Sequence, residues 1–269
     1  MSSAPDPVLA RPPGSCCAVG FKHTGEPAGV CEVFGGMNTY VARPPQAADK
    51  YEHILFYFAD VFGPLHINNQ LLADTLASKG YLVLAPDYFE GDPVYPYLRE
   101  NHDFDVTGWL QPKRIKADAM VSPWIAAAKA QYGNPTAKYA AVGYCFGAPD
   151  VMRLVSGDEV TAGALVHPAL LNESHFRDAK RPLFLSVNDD FIFPQAARHR
   201  AEALLTEAKT VHHVQCFVGF PHGFAARGRL DNTIHRWAKE QSADGVASWF
   251  DQWLKNDAAF EMFELVHVI

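Results

Sequence analysis

The run Tyr139 to Pro149, YAAVGYCFGAP, restricts this chain more than any other stretch. An apolar segment of strand character ends in Gly143-Tyr144-Cys145-Phe146-Gly147, and the residues that follow can start a helix. A strand that turns this abruptly into a helix strains its central residue, and the residues two positions away on either side must be small for the backbones to pass. Gly143 and Gly147 meet that need, so Cys145 is expected at the apex. A thiol raised there sits at a helix N-terminus, whose positive end favours the thiolate, the form that attacks carbonyl carbon. The same five residues also fit a small buried cysteine between two glycines, and short motifs do arise without function.

Such a turn needs a sheet around it, and the order of elements supplies one. Residues 29–33 and 39–42, joined by Phe34-Gly35-Gly36-Met37-Asn38, read as an antiparallel hairpin. The runs 53–59 and 81–85 are continuously apolar, the pattern of strands covered on both faces. Further strands are expected at 139–142, 161–166, 182–187 and, with alternation, 211–218. Helical spacing marks 69–78, 115–131, 146–156, 195–209 and 242–255, with Pro123 kinking or restarting the second of these. Residues 1–28 read as an irregular lead-in to one α/β domain spanning 29–269, and 88–112 as an excursion placed to line a pocket. Strand and helix in alternation imply a mostly parallel sheet with helices on both faces. In such sheets ligands bind beyond the carboxyl ends of the strands. Asp60, Cys145, Asp190 and His222 each follow an expected strand, so all four should emerge on that edge.

At 269 residues with 48% hydrophobic content, the chain can bury one large core. A net charge of −7 without a Lys/Arg cluster argues against nucleic acid or an anionic membrane surface and leaves small molecules as the expected partners. The first residues lack the apolar core of a signal peptide, and no run approaches the ~20 apolar residues of a membrane span. A soluble, cytoplasmic protein, monomer or homodimer, is therefore expected. Cys16, Cys17, Cys31, Cys145 and Cys216 are odd in number and lack framework spacing, which points to reduced thiols. Cys16 and Cys17 stand too close for a C-x-x-C pair. His212 and His213, adjacent on a strand, face opposite sides and cannot chelate together. With no zinc-ligand spacing and no phosphate loop, neither a metal nor a cofactor is expected.

A thiol nucleophile needs a base to manage protons and an acid to orient that base. Downstream of the turn, Asp189-Asp190-Phe191-Ile192-Phe193-Pro194 closes one strand and Phe220-Pro221-His222-Gly223-Phe224 closes the next. Nucleophile, acid, histidine is the chain order of α/β-hydrolases. Taken singly, paired aspartates also fit a turn or a helix cap, and a lone histidine fits a satisfied surface residue. Tyr144, His167 and Phe224 stand beside these residues on the same edge, although His167-Pro168 fits a structural turn as well as a site wall. Arg227 fits a partner for a substrate anion or for a surface carboxylate. Tyr95, Tyr97, Phe104 and Trp109 fit a pocket wall or core packing.

GYCFGA, the DFIFP segment and PHGFAARG, together with DVFGPLHINNQLLAD and YLVLAPDYFEGDP, resemble the dienelactone hydrolase family, its fungal-type members in particular. The resemblance implies an α/β-hydrolase fold and a triad of Cys145, His222 and Asp190. Asp190 is preferred to Asp189 because it stands four residues before Pro194, as the family's acid does before its proline. It also implies an oxyanion hole made by the backbone N–H groups of Phe146 and Val61, and hydrolysis of a lactone or activated ester or thioester through an acyl-thioester. This sequence departs from the family in three places. Asp60 stands where bacterial members carry a Glu thought to control the resting thiol. Ala148-Pro149 replaces a common Gly, and a proline in the first helical turn loses no hydrogen bond. No arginine follows Tyr88-Phe89-Glu90, where bacterial members place one for a substrate carboxylate, which points away from dienelactone itself. Two readings stay open beside this one: a non-catalytic protein of the same fold that binds a small metabolite, and a thiol redox protein, for which no resolving cysteine is evident.

Overall fold

The computed structural model describes residues 5–14, 20–46, 48–101 and 103–258, so Cys16 and Cys17 lie outside the described residues. In chain order the elements are β1 (Val8–Ala10), β2 (Val30–Phe34), β3 (Met37–Ala42), β4 (Tyr51–Phe58), α1 (Ile67–Ser78), β5 (Leu82–Pro86), α2 (Tyr95–Glu100), α3 (Val106–Tyr132) and β6 (Gly133–Tyr144). There follow α4 (Ala148–Val155), β7 (Ala162–Val166), β8 (Leu171–Asn172), α5 (Glu173–Arg177), β9 (Leu183–Asn188), α6 (Gln195–Glu207), β10 (His212–Phe217), α7 (Phe224–Arg227) and α8 (Thr233–Leu254). Eight strands form one sheet in the order β10-β9-β7-β6-β4-β5-β3-β2. The hairpin β2–β3 and the pair β3–β5 are antiparallel, and the rest of the sheet is parallel.

The side chains of β4 explain why that run is apolar throughout. Ile54, Phe56 and Phe58 enter one apolar cluster with Trp124 and Ile125 of α3 and Val151 of α4. Leu55 and Tyr57 enter a second, with Leu72 and Leu76 of α1 and Val246 and Phe250 of α8. A period of two sends alternate residues to opposite faces, so from Ile54 to Phe58, with helices on both sides, β4 has no polar position. None of the helices among the described residues is long and apolar enough to cross a membrane.

Several elements differ from the sequence reading: β6 starts at Gly133 rather than 139, and the short α2 lies within the excursion. Within the lead-in, Val8–Ala10 forms a strand that pairs with β8. The helix expected from 115 starts at Val106, inside the excursion, because the Asp105 carboxylate accepts the Gly108 N–H at 2.9 Å and caps it there. It carries both Pro112 and Pro123 in its interior. The last helix starts at Thr233 rather than 242, capped by Asn232, which accepts from the N–H groups of Ile234 and His235. Its first turns are largely exposed, so they carry no apolar stripe to read.

Candidate active site

At the end of β6 the chain makes a 3-10 turn over Cys145–Gly147 and continues directly into α4, with Pro149 in the first turn. Cys145 takes a φ of +49°, the left-handed region, which costs a non-glycine residue about 1–2 kcal/mol. Both flanking glycines are required. A Cβ on Gly143 would stand 2.5 Å from the Gly147 carbonyl oxygen, and one on Gly147 would stand 2.3 Å from that of Phe58. The turn is braced from α3: Arg114 donates to both oxygens of Asp150 at 2.8 and 2.9 Å and to the Phe146 carbonyl at 3.1 Å. Its guanidinium also lies over the Phe146 ring, 4.7 Å from the centroid. Asp150 is fully interior, and nothing in the local sequence announces a partner 36 residues earlier.

The thiol, expected to be raised on the strand-end edge, is fully buried: Cys145 is 0% exposed and belongs to an apolar cluster that also holds Val61, Tyr88, Phe89 and Phe146. The excursion packs its aromatic rings beside this turn. Phe89 packs between Trp109 and Phe146, with ring centroids 5.2 and 4.9 Å away, and Tyr95 lies 5.8 Å from Phe62. Tyr97 and Phe104 stack on each other at 4.7 Å.

Of the two aspartates after β9, Asp190 faces the histidine. Its Oδ2 lies 3.0 Å from His222 Nδ1 and accepts from Asn188 Nδ2 at 2.8 Å, while its Oδ1 accepts from the N–H groups of Ile192 and Phe193. Asp189 is exposed and accepts the Gln195 N–H at the start of α6, a capping role. Burial alone would raise the Asp190 carboxyl, but the hydrogen bond and charge of His222, with the Phe193 N–H and Asn188, hold it at about 2. A carboxylate favoured in the folded state contributes stability that is complete above its unfolded value of about 4. That contribution is lost as pH falls through about 2. Urea titrations at stepped pH should therefore show an acid-labile component of stability between about pH 4 and 2 that Asp190→Asn removes.

Asp60 and Arg227 meet each other. The Asp60 carboxylate accepts from Phe62 N–H and Asn69 Nδ2 at 3.0 Å each and pairs with the Arg227 guanidinium, which lies over the Phe62 ring at 4.5 Å. Both side chains are buried, so the partner of Arg227 is an interior carboxylate rather than one on the surface. Tyr57 completes the network by donating to Asn69 Oδ1 at 2.9 Å. Sequence reading overlooked Asn69, and it overlooked Asn68 as well. Asn68 donates to the carbonyls of Phe21 and Ala226 and accepts the His23 N–H, stapling the lead-in to the segment after His222. Arg11 N–H bonds the Ile192 carbonyl, so the lead-in also touches the Asp190 loop.

Val61 lies just past β4, and Phe146 follows Cys145. These are neighbouring parallel strands in which Phe58 is registered with Gly143, so both residues occupy the same rim. Tyr144, His167 and Phe224 form a buried row there: His167 sits 5.6 Å from Tyr144, 5.1 Å from His222 and 5.9 Å from Phe224 between ring centroids. A cavity of about 360 Å³ lined by Lys129, Lys138, Asp158, Glu159 and Arg181 lies near the start of β7, at the opposite edge of the sheet.

Comparison with known proteins gives the family and the fold. Residues 37–254 match the model of the dienelactone hydrolase family. Dienlactone hydrolase 1 of Gibberella moniliformis is 39% identical over 264 residues, which cover 96% of this chain and 100% of that protein. Hydrolase pyvD of Aspergillus violaceofuscus is 34% identical over 251 residues, 92% and 100% of the two chains. Among solved structures, dienelactone hydrolase from Anabaena variabilis superposes with a TM-score of 0.55 at 15% identity, covering 86% of this chain and 100% of that one. An esterase from Thermogutta terrifontis gives 0.54 at 16% identity, with 82% and 92% covered. These two likenesses bear on the fold alone, whereas the sequence matches reach further: this chain belongs to the dienelactone hydrolase family.

Proposed function

We propose that this hydrolase opens a lactone, or cleaves an activated ester or thioester, with Cys145 as nucleophile, His222 as base and acid, and Asp190 as the group that orients the imidazole. The observation that carries the reading is the 3.0 Å contact between His222 Nδ1 and Asp190 Oδ2 on the strand-end rim that also bears the strained Cys145. In this mechanism the thiolate bonds to the carbonyl carbon, and the backbone N–H groups of Phe146 and Val61 receive the developing oxyanion as fixed donors that need not reorganise. His222 gives its proton to the departing oxygen and later takes one from water, which hydrolyses the acyl-thioester. Thiolate is itself a good leaving group, so a tetrahedral adduct bearing a strongly basic alkoxide or amide collapses backwards. Enol lactones, aryl esters and thioesters escape this, and peptides do not.

Acid quench during turnover of a nitrophenyl ester, followed by intact-mass analysis, tests the reading. The expected result is one acyl adduct on the Cys145 peptide, released by hydroxylamine and missing from Cys145→Ala. Wild-type rates of ester turnover in Cys145→Ala would overturn it.

A further inference from the structure

The proposed chemistry leaves one buried imidazole without a task. His167 stands at the corner after β7, between the strand that carries Cys145 and the strand that leads to Asp190. Its N–H bonds the Ser186 carbonyl at 2.9 Å, and Ala169 N–H bonds the carbonyl of Cys145 itself at 3.2 Å. The corner is thus tied to both sides of the site. The residue has a φ of +36°, an unfavourable conformation for a side chain with a Cβ. It is 1% exposed, and neither ring nitrogen has a hydrogen-bond partner on another residue.

Two histidines away from the site each have a ring nitrogen on a backbone carbonyl, and His235 leaves only its Nδ1 without a partner, whereas both nitrogens of His167 lack one. His23 Nε2 meets the Gly228 carbonyl, and His212 Nδ1 meets that of Thr210, each at 2.8 Å. An unpaired polar group in an interior is costly, and native interiors hold few of them. Here they adjoin. Tyr144, 1% exposed, has a partnerless hydroxyl, and the Nε2 of His222 is partnerless too. The three rings follow one another edge to face, Tyr144 to His167 at 61° and His167 to His222 at 71°. Burial and the neighbouring His222 both hold the His167 imidazole well below its usual titration range. It therefore stays neutral, offers one donor and one acceptor, and does not compete with His222 for the proton.

We propose that His167 and the Tyr144 hydroxyl hold the water that attacks the acyl-thioester, so that His167 is a catalytic residue of deacylation. This rests on the function proposed above. One proton of the water passes to His222 Nε2 as its oxygen bonds to the acyl carbon, while its second O–H donates to the lone pair of His167. The C–S bond then breaks, the carboxylic acid leaves, and His222 returns the proton to the sulfur. His167 ends as it began. Acylation involves no water and has no need of it.

The test is stopped-flow hydrolysis of nitrophenyl acetate by His167→Phe, which keeps a buried ring and removes both nitrogens, with His167→Asn as a partial rescue. The burst should keep its wild-type rate constant while kcat falls by about 10²-fold, the usual loss when a reactant is no longer positioned. KM should fall in parallel, and intact mass should show the acyl-enzyme accumulating towards one per chain. His167→Asn should recover part of the deacylation rate. If His167→Phe discharges the acyl group at the wild-type rate, the proposal is wrong. A parallel loss of burst rate and deacylation, with a lower melting temperature in both variants, assigns His167 to the fold and also overturns it. Failure of the underlying function is seen separately, as absence of any acyl adduct in the wild type.

Discussion

Cys145→Ala is expected to lower kcat for an activated aryl ester by about four orders of magnitude or more, since removing the nucleophile of a triad leaves only binding and oxyanion contacts to act on water. The fold should survive, because alanine fits the same covered space. Cys145→Gly separates chemistry from structure more sharply. Glycine takes a φ of +49° without penalty, so relief of about 1–2 kcal/mol of backbone strain opposes its larger entropy in the unfolded chain. This variant should be as inactive as Cys145→Ala and have an equal or higher urea midpoint. An inactive protein that is no less stable is the signature of strain retained for function. A midpoint for Cys145→Gly well below that of Cys145→Ala, which already lacks the sulfur, would show that the left-handed turn is not strained.

Arg114→Met should have the largest effect on stability. Asp150 has a side-chain exposure of 1% and loses its two charge-assisted bonds, keeping only Arg153 at 3.9 Å. Removing one partner of a buried ion pair costs about 3–5 kcal/mol because the remaining charge is uncompensated, which in a chain of this size lowers Tm by roughly 10 °C. The double variant Arg114→Met/Asp150→Leu should regain most of that loss, since no charge is left to desolvate. The single variant also has a pH signature. Burial favours the protonated form of Asp150, raising its pKa in the folded state, so the penalty is full at neutral pH and shrinks as the carboxyl takes up a proton in acid. Thermal melts across pH for both variants read these outcomes. Because Arg114 also holds the Phe146 carbonyl, the single variant should lose activity as well as stability.

The parts of the site that are local along the chain are legible in the residues themselves. Gly143 and Gly147 flank Cys145 within five residues, and the strain that requires them is a property of one turn. Strands β4, β5, β7 and β9 are legible because burial on both faces leaves an unbroken apolar run. The family resemblance prefers Asp190 to Asp189 by its spacing from Pro194, and in the fold Asp190 is the one of the two that contacts His222. Helix starts at Val106 and Thr233 escape such a reading because a single capping side chain sets each, in stretches without apolar period.

The sequence by itself determined the backbone plan, the order of the proposed triad residues and the family, since each is written in runs of a few residues or in their order along the chain. Tertiary structure alone decided which charges meet. Arg227 with Asp60, Arg114 with Asp150 and the row Tyr144–His167–His222 are joined across tens of residues or more. So was the packing of the excursion's Phe89 between Trp109 and Phe146, the residue after Cys145. Burial turns such encounters into strong interactions or costly vacancies in hydrogen bonding, and burial is a property of the packed whole that no local pattern carries.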